Sequence, residues 1–171
     1  DGMCYKLIPI RTKINPQNPY EMGRVDSEKM IEIVKKWSWG NPNENNIYLD
    51  EESRKNSITY RGNISRLIKQ LIAEDKKEKA LELLDFTMKK MPIEDYGYYT
   101  LLEPFIDSYY LLKDKKKARK IFKLISSKYQ EKLFYFSGLS ESNKILYSEL
   151  IYTDIETVSY THLTLPTSND V

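Results

Sequence analysis

A mostly α domain built from helical hairpins is the fold this sequence predicts, and three observations predict it. Beyond residue 50, apolar residues recur at steps of three and four, the spacing of one helix face. Segments that read as extended are short and lie towards the N-terminus. Glycine (6) and proline (7) are sparse across the 171 residues, which leaves long uninterrupted runs for helices.

The elements follow in chain order. Tyr5-Lys6-Leu7-Ile8-Pro9-Ile10 reads as a short strand or extended arm, followed by a loop rich in Asn and Pro from Asn15 to Tyr20. Asp26 or Ser27 can cap a helix running to about Trp37, with Met30, Val34 and Trp37 on one face. Gly40-Asn41-Pro42-Asn43 stops it. Ile47-Tyr48-Leu49 is a brief extended piece, and Asp50 or Ser53 offers the next cap.

Four apolar stripes then predict four helices. Ile64, Leu67, Ile68, Leu71 and Ile72 form the first, and Ala80, Leu83, Leu84, Thr87, Met88 and Met91 the second, ending at Pro92. Leu101, Leu102, Phe105, Ile106 and Tyr109 form the third. Ala118, Ile121, Phe122, Ile125 and Tyr129 form the fourth. A last helix is expected from Ser140 or Ser142 past Leu150, carrying Ile145, Leu146 and Tyr152. Pro104 is the misfit: with Thr100 and Glu103 as a capping box it falls just past the first turn, where it removes a hydrogen bond.

Overlaying the stripes exposes a repeat. A shift of 38 residues places Leu67-Ile68 on Phe105-Ile106, Leu71-Ile72 on Tyr109-Tyr110, Ala80 on Ala118 and Leu83-Leu84 on Ile121-Phe122. The polar linkers Glu74 to Lys79 and Leu112 to Lys117 match as well. Helix, tight charged turn, helix, with a small Ala at the crossing, is the logic of a tetratricopeptide-like repeat. The period exceeds the usual repeat of about 34 residues because the loop from Pro92 to Thr100 is long.

Composition sets further bounds. The chain has 27 basic and 25 acidic side chains, a balance too even to argue for nucleic acid. With 40% hydrophobic and 30% charged residues, the composition is that of a water-soluble globular piece without a membrane-spanning run. Cys4 is the one cysteine, which excludes an internal disulfide and a Cys-rich zinc site.

Constellations that could carry chemistry are few. Asp50, Glu51 and Glu52 could supply a hydrolytic carboxylate pair, but acidic residues also belong in the first turn of a helix, where they complement its dipole. Lys113, Lys115, Lys116, Lys117, Arg119, Lys120 and Lys123 could meet an anionic lipid surface or nucleic acid. Ala118, Ile121 and Phe122 interrupt that run at core spacing, so it also reads as a solvated turn and outer face. Tyr96, Tyr98, Tyr99, Tyr109 and Tyr110 could stack on a sugar or a peptide, or pack between helices; Tyr98, Tyr99 and Tyr109 are the candidate partner-binding residues. Trp37 and Trp39 read as core for the first helix. No phosphate loop, nucleophile elbow or metal-ligand spacing appears, so no catalytic, cofactor or metal residue is assigned.

The end of the chain reads differently. Val158-Ser159-Tyr160-Thr161-His162-Leu163-Thr164-Leu165-Pro166-Thr167 resembles the translation of a transposon-derived sequencing adapter. That resemblance implies a non-native tail over 158–171 and a reading frame cut short, with a second cut implied by the start at Asp1. It also makes His162, the one histidine, irrelevant to chemistry. Without Asp170 the formal charge becomes +3, from 27 basic and 24 acidic residues.

Several patches resemble a single family. They are Asp1-Gly2-Met3-Cys4-Tyr5-Lys6-Leu7-Ile8-Pro9, Gly23-Arg24-Val25-Asp26-Ser27-Glu28-Lys29-Met30, Trp39-Gly40-Asn41, Ile47-Tyr48-Leu49-Asp50-Glu51, and the repeat pair ending in Tyr109-Tyr110. In order and spacing, from Asp1 to about Phe136, they resemble the C-terminal soluble region of bacterial multi-pass membrane glycosyltransferases similar to protein O-mannosyltransferases. The resemblance implies a parent using a lipid-linked sugar donor. It further implies that this domain lies on the extracytoplasmic (periplasmic) face of the inner membrane, attached through an N-terminal part absent here. Family catalytic residues lie in that part, so none is carried onto this chain.

The expected organisation is therefore an extended arm and loop over 1–24, a helical repeat-like domain over 25–157 and the tail over 158–171. The expected function is non-catalytic: the domain positions an acceptor protein or stabilises the enzyme's own membrane domain. The alternatives are a free-standing tetratricopeptide-like adaptor that binds peptides or proteins, and a soluble hydrolase using Asp50 and Glu51.

Overall fold

The computed structural model describes residues 9, 23–39, 47–97 and 102–164. Within them the protein is mostly α, with eight helices and no strand. The arm around Tyr5 to Ile10, apart from Pro9, and the helix stop at Gly40 to Asn43 lie outside the described residues. The helices divide into two compact units, residues 1–101 and 102–171, each with its own core.

In the first unit, α1 (Ser27–Lys35) begins at Asp26, whose carboxylate accepts the Lys29 N–H at 3.1 Å. Glu28 in its first turn and Lys35 in its last complement the helix dipole. Helix α2 (Glu51–Ala73) begins at Asp50, whose Oδ1 accepts the Ser53 N–H at 2.7 Å. Asp50 is thus the cap and Ser53 its donor, not an alternative cap. Helix α3 (Lys77–Lys90) packs back on α2, burying Ile64, Leu67, Ile68 and Leu71 from one and Ala80, Leu83, Leu84 and Thr87 from the other. Each large apolar side chain taken from water here contributes about 1.5–3 kcal/mol before ordering costs. Ile72 and Met88, at the stripe margins, are only partly buried.

The loop after Pro92 contains a helix that the periodicity did not reveal, the single turn α4 (Ile93–Tyr96). Pro92 precedes it, Glu94 and Asp95 occupy its first turn, and Gly97 ends it at a φ of 63°. Four residues are too few for a periodic signal, but the flanking Pro and Gly are its boundary residues.

In the second unit, α5 (Glu103–Leu111) pairs with the 23-residue α6 (Lys115–Ser137). Phe105, Ile106 and Tyr109 of α5 are buried with Ala118, Ile121, Ile125 and Tyr129 of α6. Pro104 proves to be no misfit. The helix starts at Glu103, so Pro104 sits in its first turn, where the missing N–H would have had no helical acceptor. Leu102 is the cap and makes no side-chain capping bond, and Thr100 lies outside the described residues.

The expected last helix is two helices, α7 (Glu141–Leu146) and α8 (Ser148–Thr164), broken at Tyr147. Helix α8 packs on α6 through an ion pair in which Lys132 Nζ lies 2.7 Å from Asp154 Oδ2, and the Asp154 carboxylate is buried. Ile145, Leu146 and Tyr152, expected to carry an apolar face, are instead exposed.

The two hairpin turns share one geometry. Asp75 (φ 58°) and Lys113 (φ 64°) are the non-glycine residues in left-handed conformation among the described residues. In the first, the Lys76 N–H donates to Leu71 O at 2.8 Å and the Asp75 N–H to Ile72 O at 3.0 Å. In the second, the Asp114 N–H donates to Tyr109 O at 2.9 Å and the Lys113 N–H to Tyr110 O at 2.9 Å. Both are Schellman closures, which satisfy the last carbonyls of the first helix in each hairpin.

Candidate functional site

Four polar or aromatic clusters could hold chemistry, and each can be built from its residues. The first joins α1 to the α2–α3 turn. Ser27, buried at the start of α1, donates its hydroxyl to Glu74 Oε2 at 2.6 Å and accepts from Lys76 Nζ at 3.1 Å. Lys76 also lies 2.7 Å from Glu28 and 2.7 Å from Glu74, while Lys79 reaches Glu28 at 2.9 Å.

A serine within hydrogen-bond distance of a lysine has the outline of a nucleophile and its base. The electrostatics argue against that role. Hydrogen bonds to Glu28 and then Glu74 hold the lysine pKa above its ordinary value, which favours the protonated form over a base. Lys76, then Ser27 and Gln70, hold the Glu74 carboxyl down to about 2, which makes it a very weak base. The cluster is a charged knot that pins α1, which sequence spacing could not reveal because Ser27 and Glu28 bond to side chains 47 to 51 residues later.

Asp50, Glu51 and Glu52 form no catalytic pair. Asp50 caps α2, and the Ser53 backbone N–H holds its carboxyl below the usual range. Glu51 and Glu52 splay into solvent at the helix start, where Lys55 approaches both. The hydrolase alternative required these side chains to share a cleft, and this arrangement withdraws its support. Among the described residues no group of acidic, His or Cys side chains is arranged to hold a metal ion.

The aromatic residues divide. Trp37 and Trp39, at 5.5 Å between ring centroids, meet Tyr60 of α2 at 5.0 and 6.3 Å, and Trp39 meets Phe86 of α3 edge-on at 5.4 Å. These half-buried rings extend the core of the first unit beyond the end of α1. Tyr109 is only 2% exposed, in the α5–α6 core with Lys117 over its ring, so it packs between helices and presents no face to a partner. Tyr98 and Tyr99 lie outside the described residues.

A buried cation lies outside the stripes read from the sequence. Arg61 is 1% exposed, and its guanidinium donates to the Gly97 carbonyl and, at 3.5 Å, to the Met91 carbonyl. It therefore ties both ends of the Met91–Gly97 segment to α2. Its signal was present: Ser57, Arg61, Ile64, Ile68 and Leu71 step by four and three, so a cation occupies a core register.

The basic run lies where the outer-face reading put it. Lys113, Lys115, Lys116, Arg119, Lys120 and Lys123 are exposed, while Ala118 and Ile121 turn inward. Lys117 pairs with Asp114 at 3.2 Å; Asp114 caps α6, and the Lys117 N–H holds its carboxyl below the ordinary range. No helix among the described residues is long and apolar enough to cross a membrane. No protein-family model, curated protein or solved structure matches the chain.

Proposed function

We propose that this chain is a non-catalytic, tetratricopeptide-like interaction domain serving a bacterial membrane glycosyltransferase of the protein O-mannosyltransferase-like kind. In this reading it positions the acceptor protein or stabilises the enzyme's membrane domain on the extracytoplasmic side. The repeat part rests on one observation: both hairpins close through the same left-handed turn, 38 residues apart, each followed by a fully buried alanine, Ala80 or Ala118. Helical-hairpin repeats as a class work as scaffolds whose chemistry is left to the partner.

The glycosyltransferase link rests on the resemblance of the patches from Asp1 to about Phe136, and the tail from Val158 to Thr167 is taken with it as adapter-derived. Sequencing the genomic DNA on both sides of this reading frame tests the link. An open frame upstream of Asp1 that encodes many hydrophobic segments supports it. A start codon near Met3 sinks it and leaves the free-standing adaptor, which the same paired hairpins also support.

A further inference from the structure

The layer formed by α6 and α8 turns two oppositely charged faces to solvent. Residues 111–130 hold eight cations and one carboxylate, Asp114, which Lys117 occupies. Lys116, Lys120 and Lys123 step by four and three along α6, are exposed, and make no ion pair among the described residues. They lie opposite the side that carries Lys132 and Phe136, where α8 packs through Asp154 and the Tyr147 ring arrives at 5.8 Å.

Residues 141–157 reverse the charge, with four carboxylates and one cation. Lys132 holds Asp154 and Lys144 holds Glu141, which leaves Glu149 and Glu156 exposed with no ion pair among the described residues. Glu149, Tyr152 and Glu156 step by three and four along α8, about half a turn from Asp154, so this line faces away from α6. Tyr152 is 64% exposed and the neighbouring Ile155 47%.

We propose that the second unit stacks head to tail on further copies of this chain, the outer face of α8 in one copy lying on the lysine line of α6 in the next. Phe136 meets Tyr147 and Lys132 meets Asp154, so α8 runs back along α6. Copies stacked in one orientation therefore set the two faces antiparallel. In that register Glu149 falls on Lys123, Tyr152 on Lys120 and Glu156 on Lys116. The two ion pairs then stand about 10.5 Å apart on both helices, and Lys120 covers the Tyr152 ring, a cation on an aromatic face. Charge complementarity selects a second copy: an acidic partner alone would satisfy the lysines and leave Glu149 and Glu156 unanswered. Faces on opposite sides of one layer cannot close a two-fold dimer, so association continues beyond two copies. The contact stands whether or not the parent is a glycosyltransferase.

Sedimentation equilibrium of the full chain tests this. Weight-average mass is expected to rise with concentration past that of a dimer, and to fall as salt is raised. Lys116→Gln with Lys123→Gln, or Glu149→Gln with Glu156→Gln, should each weaken association about tenfold through the loss of two exposed ion pairs. Where the unaltered chain is half associated, either variant alone should then be mostly monomeric. Mixing the two should restore one contact, intact α8 face on intact α6 face, and give pairs that grow no further. Circular dichroism melts confirm that the variants stay folded, and complementation in the mixture shows it independently. A chain that stays monomeric, whether or not heparin binds its lysines, overturns the proposal. So does a dimer that grows no further, association indifferent to salt or to either pair of substitutions, or a mixture that fails to complement.

Discussion

Asp75 and Lys113 stand 38 residues apart and hold the same left-handed backbone conformation, with φ of 58° and 64°. Each is the residue just past a helix end, and each lets the following N–H turn back onto a carbonyl five residues earlier. For an L-residue this conformation costs about 1–2 kcal/mol, less for short polar side chains. The turn therefore fixes both hairpins at some expense to stability.

Replacing Lys113 by Gly should relieve that cost and stabilise the second unit by about 0.5–1 kcal/mol, after the extra chain entropy glycine loses on folding. Asp75→Gly should gain less, because Asp tolerates the conformation better. Urea denaturation followed by circular dichroism measures both. A destabilised Lys113→Gly variant would contradict the turn geometry.

Ala118 is fully buried where α6 packs on α5. Ala118→Leu should overpack that contact and destabilise the unit by roughly 1–3 kcal/mol, and Ala80→Leu should do the same to the first. Unchanged melting curves for both would argue against these helix pairings.

Removing the guanidinium of Arg61 leaves the Met91 and Gly97 carbonyls without their buried donor. Arg61→Ala should cost about 3 kcal/mol or more. Arg61→Lys should recover only part of it, because a single ammonium cannot fork to two separated carbonyls. Full recovery with Lys would show that charge alone matters at this site.

The Glu74 carboxyl is held at about 2, below the ordinary 4.5, chiefly by Lys76. A depressed folded pKa means its contribution is present above pH 4.5 and is lost as pH falls from there towards 2. The first unit should therefore weaken through that window. Glu74→Gln should flatten that part of the profile, and added salt should diminish it. Denaturation midpoints across the acid range, compared between the two proteins, decide it.

Asp154 is the last buried side chain described in α8. Ending the chain at Thr157 keeps the Lys132–Asp154 pair, so the denaturation midpoint of the second unit should shift by no more than that expected for surface changes, about 0.5 kcal/mol. A large loss would show that the segment from Val158 onward packs as part of the fold.

Much of this could be read in advance. The stripes from Ile64 to Tyr129 located the two hairpins and most of their core, because three-and-four spacing survives in any helix that packs on one side. The cap at Asp50 and the alignment of the two turns were legible for the same local reason. The start of α5 was misplaced because capping signals at Thr100 and Glu103 competed with Pro104, and the proline decided the first turn. Tyr109 was open to two readings because a tyrosine at core spacing serves equally to pack or to bind.

By itself, then, the sequence determined what depends on neighbours along the chain: helix type, the turn register and which faces are apolar. Only the tertiary structure decided what depends on residues distant in sequence. It brought Ser27 to Glu74 and Lys76, turned a core-register arginine onto Met91 and Gly97, and left Ile145 and Leu146 in solvent. Periodicity states that a face is apolar, but whether another helix covers it is settled only by packing.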